Sequence, residues 1–309
     1  MNITLLSIVI FVIASTEAMS PQTVEVDYSE LAKEAENNKK HLLEFLNQTQ
    51  VRELYRTKYN ILLDKITGSN RRIVSGQNTS ITAVPWQVSL RQKTQFICGG
   101  SVVTDIWILT AAHCLERFKT NDLSVRVGSS WRTHGGEMYD VKESYMHPQY
   151  DNKNFLNDVG LLRLYSTLRF SWRVLPILLA ARDSRLPANQ MAIVSGWGVM
   201  KENGQSPKFL QSASIRTIVM KLCRQSGVDL GIDPASMFCA GSFTQPSPDA
   251  CQGDSGGPIV SEGLLIGAVS WGVGCARSSF PGVYTRLSDP GIWDWINGHL
   301  TKTDSNVNI

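Results

Sequence analysis

The stretch DACQGDSGGP, residues 249–258, decides how this chain is read. Small residues surround Ser255, so the backbone there can turn sharply and bring its N–H groups close to a bound carbonyl. Stabilising an oxyanion requires that arrangement, which makes Ser255 a candidate nucleophile. As a bare pattern, Gly253-Asp254-Ser255-Gly256-Gly257 also satisfies GxSxG, the strand-to-helix elbow of the α/β-hydrolases.

Chain order separates the two readings. An α/β-hydrolase carries its histidine after the serine, and the one downstream histidine is His299, in a segment that reads as an amphipathic helix and suits a solvated residue. Upstream, His113 in LTAAHC (109–114) follows an apolar run and adjoins Cys114, so a disulfide can hold its ring at a strand end. His41, His134 and His147 lie in polar stretches without catalytic context and read as surface residues.

Working outward, the texture of the chain changes once. From Ile73 onward, short β-rich runs alternate with Gly, Pro, Asn and Ser: WQVSL (86–90), WILT (107–110), LSVRVG (123–128), MAIVSG (191–196), LLIGAVSWG (264–272) and GVYTRL (282–287). Such spacing predicts an all-β sandwich or barrel. The tail departs from it: Asp289 can cap a helix with Pro290 in its first position and Ile292, Trp295, Ile296 and Leu300 on one face. Residues 19–72 contain neither Cys nor Trp, and Val51, Leu54, Tyr55, Ile61 and Leu62 fall at helical spacing, as in a helix-prone pro-segment.

Ile3–Ala14 is an apolar run of about a dozen residues, too short for the roughly 20 that span a bilayer, and is followed by small residues. It reads as a signal peptide covering 1–18, ahead of a pro-segment at 19–72 and a main domain at 73–309. Six cysteines, none in CxxC spacing, point to disulfides in an oxidising compartment, with 15 pairings open. Asn47 and Asn78 head sequons that could carry glycans. A net charge of +3, with no basic block longer than a pair, gives no ground for nucleic acid or an acidic membrane surface as a partner.

LTAAHC, DVGLLRL (158–164), SGWG (195–198), CAG (239–241), DACQGDSGGP, SWG (270–272) and PGVYTR (281–286) follow one another in the order and spacing of the trypsin-like serine proteases of the chymotrypsin fold. The resemblance runs from 73 to about 300. It implies two perpendicular six-stranded antiparallel β-barrels with a C-terminal α-helix and the active site between the barrels. It also assigns His113 as general base, Asp158 as its orienting partner and Ser255 as nucleophile, with Gly253 and Ser255 supplying the oxyanion hole. Residue chemistry alone leaves nine aspartates between His113 and Ser255 open for the second role.

Further roles rest on the same resemblance. Ser270 supports Asp158, and Trp271 and Gly272 offer backbone to the substrate. Asp249 lies at the base of the specificity pocket beside Ala250, with Gly272 and Gly282 leaving room for a long Arg or Lys. The implied disulfides are Cys98–Cys114, Cys223–Cys239 and Cys251–Cys275. The basic doublet ahead of Ile-Val in RRIVSG (71–76) reads as an activation site: a cut after Arg72 frees the Ile73 amine to pair with Asp254.

No cofactor and no metal site is expected, because Ser129-Ser130 follow Gly128 where the family's calcium loop begins with glutamate, and Pro281 matches members without the sodium-dependent form. The expected partners are polypeptides with Arg or Lys before the scissile bond, an activating protease or the enzyme itself, and protein protease inhibitors, with the chain a secreted monomer. Two rivals stand beside this reading. One is a catalytically silent scaffold, and the other a membrane-anchored protease that keeps its apolar N-terminal segment. A pro-segment of about fifty residues exceeds what a digestive trypsin needs, which leans towards a regulated extracellular role, with digestion the alternative.

Overall fold

A computed structural model describes residues 56, 57, 59–64, 76–199, 204–225, 231–241, 253–272 and 281–301. The chain divides between Glu44 and Phe45, and all described residues lie in the unit Phe45–Ile309. The expected signal peptide (1–18), Asn47, Arg72, Ile73, Asp249, Ala250, Cys251 and Cys275 lie outside the described residues.

Aliphatic side chains meeting across strands build the first barrel. In β2 (Gln87–Gln92) and β5 (Leu123–Val127), Val88 stands opposite Val127 and Leu90 opposite Val125, all four fully or nearly fully buried. Such facing pairs set the register, since a slip of one residue would turn the whole apolar set outward. With β3 (Gln95–Val102), β4 (Trp107–Thr110), β6 (Glu137–Met146) and β7 (Gly160–Leu164), the ring closes in the order β2-β3-β4-β7-β6-β5.

The second barrel uses β9 (Met191–Gly196), β10 (Gln211–Arg216), β11 (Met237–Ala240), β12 (Pro258–Ser261), β13 (Leu264–Trp271) and β14 (Gly282–Arg286), adjacent in the order β10-β9-β12-β13-β14-β11. Its ends meet through single bonds: the Gly241 N–H donates to the Arg216 carbonyl and the Ile218 N–H to that of Cys239, each at 2.9 Å. β1 (Gln77–Asn78) extends β10, and β8 (Leu178–Leu179) adds a parallel pair on β13 to an otherwise antiparallel sheet.

One core fills each barrel and a third joins them. Trp86, Trp107, Leu109 and Leu161 of the first barrel pack in one cluster with Ile193, Trp197, Val260 and Leu265 of the second. The C-terminal helix Pro290–Leu300 joins this cluster through Ile292 and Ile296, both 0 % exposed. Asp289 caps it as its sequence predicts, accepting from the Ile292 N–H at 3.0 Å, a bond worth about 1 kcal/mol.

Two histidine readings are corrected. His147 is only 5 % exposed, with its ring 5.2 Å from that of Trp295. His299 is half-buried rather than solvated, its ring 4.8 Å from Tyr145 and 4.9 Å from Trp295. A polar local sequence hid His147 because its cover comes from the distant C-terminal helix. The helix expected upstream of Arg71 also turns differently from its predicted face. Residues 56, 57 and 59–64 are helical, Tyr59 and Leu62 are buried, and Ile61 points outward at 47 % exposure. Positions 59, 62 and 63 share a helical face that Ile61 does not.

Candidate active site

Strand β4 delivers His113. The strand ends at Thr110 and runs into a single 3-10 turn, Ala112–Cys114, tied back to β3 by the Cys98–Cys114 disulfide. The opposing β7 begins at Gly160, two residues after Asp158, so one strand pair brings both residues to the same end of the first barrel.

The pair is held in several ways. Asp158 Oδ1 accepts the His113 backbone N–H at 3.0 Å, and Asp158 Oδ2 lies 2.7 Å from His113 Nδ1. A carboxylate only accepts, so Nδ1 carries the proton, and Nε2, 3.6 Å from Cys114 Sγ, is the nitrogen that can take one. The Ser270 hydroxyl donates to the same Oδ2 at 2.5 Å, and the Thr285 hydroxyl to the Asp158 carbonyl at 2.7 Å. Asp158 is 0 % exposed while the His113 side chain remains 21 % exposed, so a dry carboxylate backs a ring that stays partly open to solvent. Phe155 meets that ring edge-on at 5.8 Å.

Close approach explains the glycines around Ser255. Gly256 has φ +74°, and a Cβ there would lie 2.8 Å from the Ala111 nitrogen, two residues before His113. The Gly99 N–H donates to the Ser255 carbonyl at 2.8 Å, and the Gly256 N–H to the Val269 carbonyl at 2.7 Å. The serine-bearing turn is thereby clamped between β3 of one barrel and β13 of the other, against the residues that lead to His113. Gly253 takes φ +97°, a conformation that costs a side-chain-bearing residue dearly.

Asp254 is held against the SGWG segment. Its Oδ1 accepts the Gly198 N–H at 2.7 Å, and a Cβ on Gly196 or Gly198 would fall 2.1 Å or 2.3 Å from its carboxylate oxygens. The two glycines of SGWG thus form a cradle shaped to one carboxylate, which sequence reading did not foresee. It also missed Thr285, Gly99 and Thr110; the Thr110 hydroxyl donates to the Gly99 carbonyl at 2.8 Å. Thr285 and Gly99 bond to Asp158 and Ser255, each more than a hundred residues away, and Thr110 to Gly99 across adjacent strands, so no local pattern gives their roles.

Ser270 is buried, Trp271 half-buried, Gly272 exposed and Gly282 buried opposite Ala240. Cys223 and Cys239 are bonded, pinning a short helix, Met220–Gln225, to β11. Among the described residues, the one cluster with metal-ligand proximity is Cys98, His113 and Cys114, whose sulfurs are spent on each other. Among them too, no helix is long and apolar enough to cross a membrane. Asn78 is exposed, its Oδ1 accepting from Gln211 Nε2 at 2.8 Å.

Comparison with known proteins agrees with the geometry. The family model described as Trypsin matches residues 73–296. Similar proteins include Trypsin delta of Drosophila erecta, 42 % identical over 75 % of this chain and 89 % of its own length. A Trypsin of Phaedon cochleariae is 37 % identical over 75 % and 89 %, and a Vitellin-degrading protease of Bombyx mori 38 % identical over 75 % and 86 %. With two barrels, a buried Asp158 against His113 and a clamped Ser255 turn, the chain belongs to the trypsin family and is a serine endopeptidase acting on polypeptides.

Proposed function

We propose that this endopeptidase is secreted as an inactive precursor, is switched on by cleavage after Arg72, and cuts after Arg in preference to Lys. The observation that carries the catalytic part is the fully buried Asp158 carboxylate, committed to the backbone and ring of His113 and to Ser270.

The reaction scheme is the one established for Ser-His-Asp proteases in general. Ser255 Oγ attacks the scissile carbonyl carbon while His113 Nε2 takes its proton. Asp158 keeps the ring in the Nδ1–H tautomer and stabilises the imidazolium that forms. The oxyanion accepts from the N–H groups of Gly253 and Ser255, where losing one donor costs about 10²–10³ in rate. Collapse breaks the C–N bond, and His113 hands its proton to the leaving amine. Water then attacks the acyl ester with His113 again as base, releasing the acid and restoring Ser255. The Trp271-Gly272 backbone aligns the substrate as an added strand.

Activation rests on Asp254. Cleavage creates an ammonium on Ile73, and the Gly196–Gly198 cradle holds the carboxylate that would receive it. Removing one partner of a buried pair costs on the order of 3–5 kcal/mol, enough to keep pocket and oxyanion hole unformed in the uncut chain. Specificity rests on Asp249, six residues before Ser255, because a closed-in carboxylate demands a cation. Arg can meet it with two parallel N–H bonds, whereas the compact Lys ammonium needs further acceptors. Ala250 supplies no hydroxyl for the purpose.

Arg72 satisfies this preference itself, so the active enzyme can process its own precursor. Secretion is supported by the Ile3–Ala14 run and by disulfides that require an oxidising compartment. The enzyme acts as a monomer, open to protein protease inhibitors, with no nucleic-acid or membrane partner. Paired peptides differing only before the scissile bond test the specificity. Arg is expected to give the higher kcat/KM; equal or Lys-favouring values would defeat the Ala250 argument, and cleavage after Phe or Leu the role of Asp249.

A further inference from the structure

The helical turn at 59–64 lies upstream of the activation cut, yet it is built into the protease core. Tyr59 and Leu62 are 3 % and 5 % exposed and share a cluster with Ile193, Val260 and Leu265, and Leu63 packs partly buried against it. The Tyr59 hydroxyl donates to the Met191 carbonyl at 2.7 Å. Burial, the largest influence, raises its phenol pKa, with Ser261 and Glu262 close enough to bear on it. The compact unit containing the barrels accordingly begins at Phe45, well before Arg72.

Where the turn docks matters. Met191 opens β9 and Ser261 closes β12, and these strands run antiparallel with Ile259 opposite Val194 and Val260 opposite Ile193. Both contacts of Tyr59 therefore sit at one end of the strand pair. Gly196 and its neighbour Asp254 sit at the other. Ser255 adjoins Asp254 at that far end, so the docked turn sits at the end of the strand pair away from it. From Asp64 to Ile73 the chain can stretch about 30 Å, enough for the cut site to reach a protease while the turn stays seated.

Hydrolysis of the Arg72–Ile73 bond breaks none of these contacts. No cysteine precedes Cys98, so a disulfide cannot serve as tether. We infer that the turn is a non-covalent clip, through which the cleaved pro-segment stays bound to the active protease as a light chain, remote from the cleft. The inference builds on the activation reading given under Proposed function, and its partner surface is the β9/β12 end formed by Met191, Val260 and Ser261.

The test uses the full-length Ser255→Ala chain, which cannot digest itself, cut by added trypsin. N-terminal sequencing checks the activation reading separately: a new N-terminus at Ile73 is expected. A cut after Lys65 or Arg71 instead would count against that site but still sever the clip. Gel filtration and native mass spectrometry of the cut wild-type-clip protein at micromolar concentration are expected to find the fragment carrying Tyr59 co-eluting with the barrels. Elution of that fragment alone would overturn the inference. In a Tyr59→Ala, Leu62→Ala double variant, affinity for the fragment should fall about tenfold or more, the scale of deleting buried side chains. Undiminished retention in that variant would overturn it too, and if the variant fails to fold, the wild-type elution decides.

Discussion

Ser270 and His113 share one oxygen of Asp158: the serine hydroxyl donates to Oδ2 at 2.5 Å while the imidazole Nδ1 lies 2.7 Å from it. A carboxylate gripped from two sides cannot swing, so the imidazole is fixed in direction as well as in tautomer. Ser270 thus acts as a positioning residue, through Asp158. Removing its hydroxyl takes away a buried bond to a charged group, worth about 1.5–3 kcal/mol. Ser270→Ala should lower kcat by roughly 10- to 100-fold with KM little changed. A KM effect alone, measured on an Arg peptide, would mean that Ser270 only lines the substrate groove.

The Gly196–Gly198 cradle yields a second expectation. A methyl group on Gly196 would stand 2.1 Å from Asp254 Oδ1, which nothing short of moving the carboxylate can relieve. Gly196→Ala should give a chain that is cut after Arg72 yet stays at least about 100-fold less active, as Asp254→Asn should, because each denies the new amine its partner. Wild-type kcat/KM in the cleaved Gly196→Ala protein would show that the carboxylate's place there is irrelevant to activation.

Burial of His147 against Trp295 sets a pH dependence. Burial, the dominant cause, lowers its pKa below 6.5, outweighing the opposing pull of the Gly291 backbone and Asp289. Protonation is therefore easier in the unfolded chain. Below about pH 6.5 the unfolded state holds more protons, so stability falls with pH until the folded value is passed. A Tm series from about pH 7.5 to 5.5 should decline less steeply for His147→Gln than for the unsubstituted protein. Parallel curves would place the titrating group elsewhere.

Much of this was legible in the sequence, and the reasons differ by element. WILT and MAIVSG are strands over the predicted residues because local β-propensity and burial agree there. The Asp289-Pro290 start of the last helix is likewise a local signal. Asp158 is another matter: only resemblance picked it from nine aspartates, since its burial depends on Ser270 and Thr285, more than a hundred residues away. The closure of the second barrel, the Asp254 cradle and the docking of Tyr59 share that character. Each is a contact between segments that meet only in the folded chain, so neither segment's own sequence names its partner.

The most direct test is activation itself. Hydrolysis of a peptide with Arg before the scissile bond should be compared in the intact wild-type chain, the chain cut after Arg72, and an Arg72→Gln chain shown by N-terminal sequencing to be uncut at Arg71 as well. A lost buried pair of about 3–5 kcal/mol predicts that both uncut forms are some 10²- to nearly 10⁴-fold less active than the cut one. Full activity in the uncut Arg72→Gln chain would contradict it.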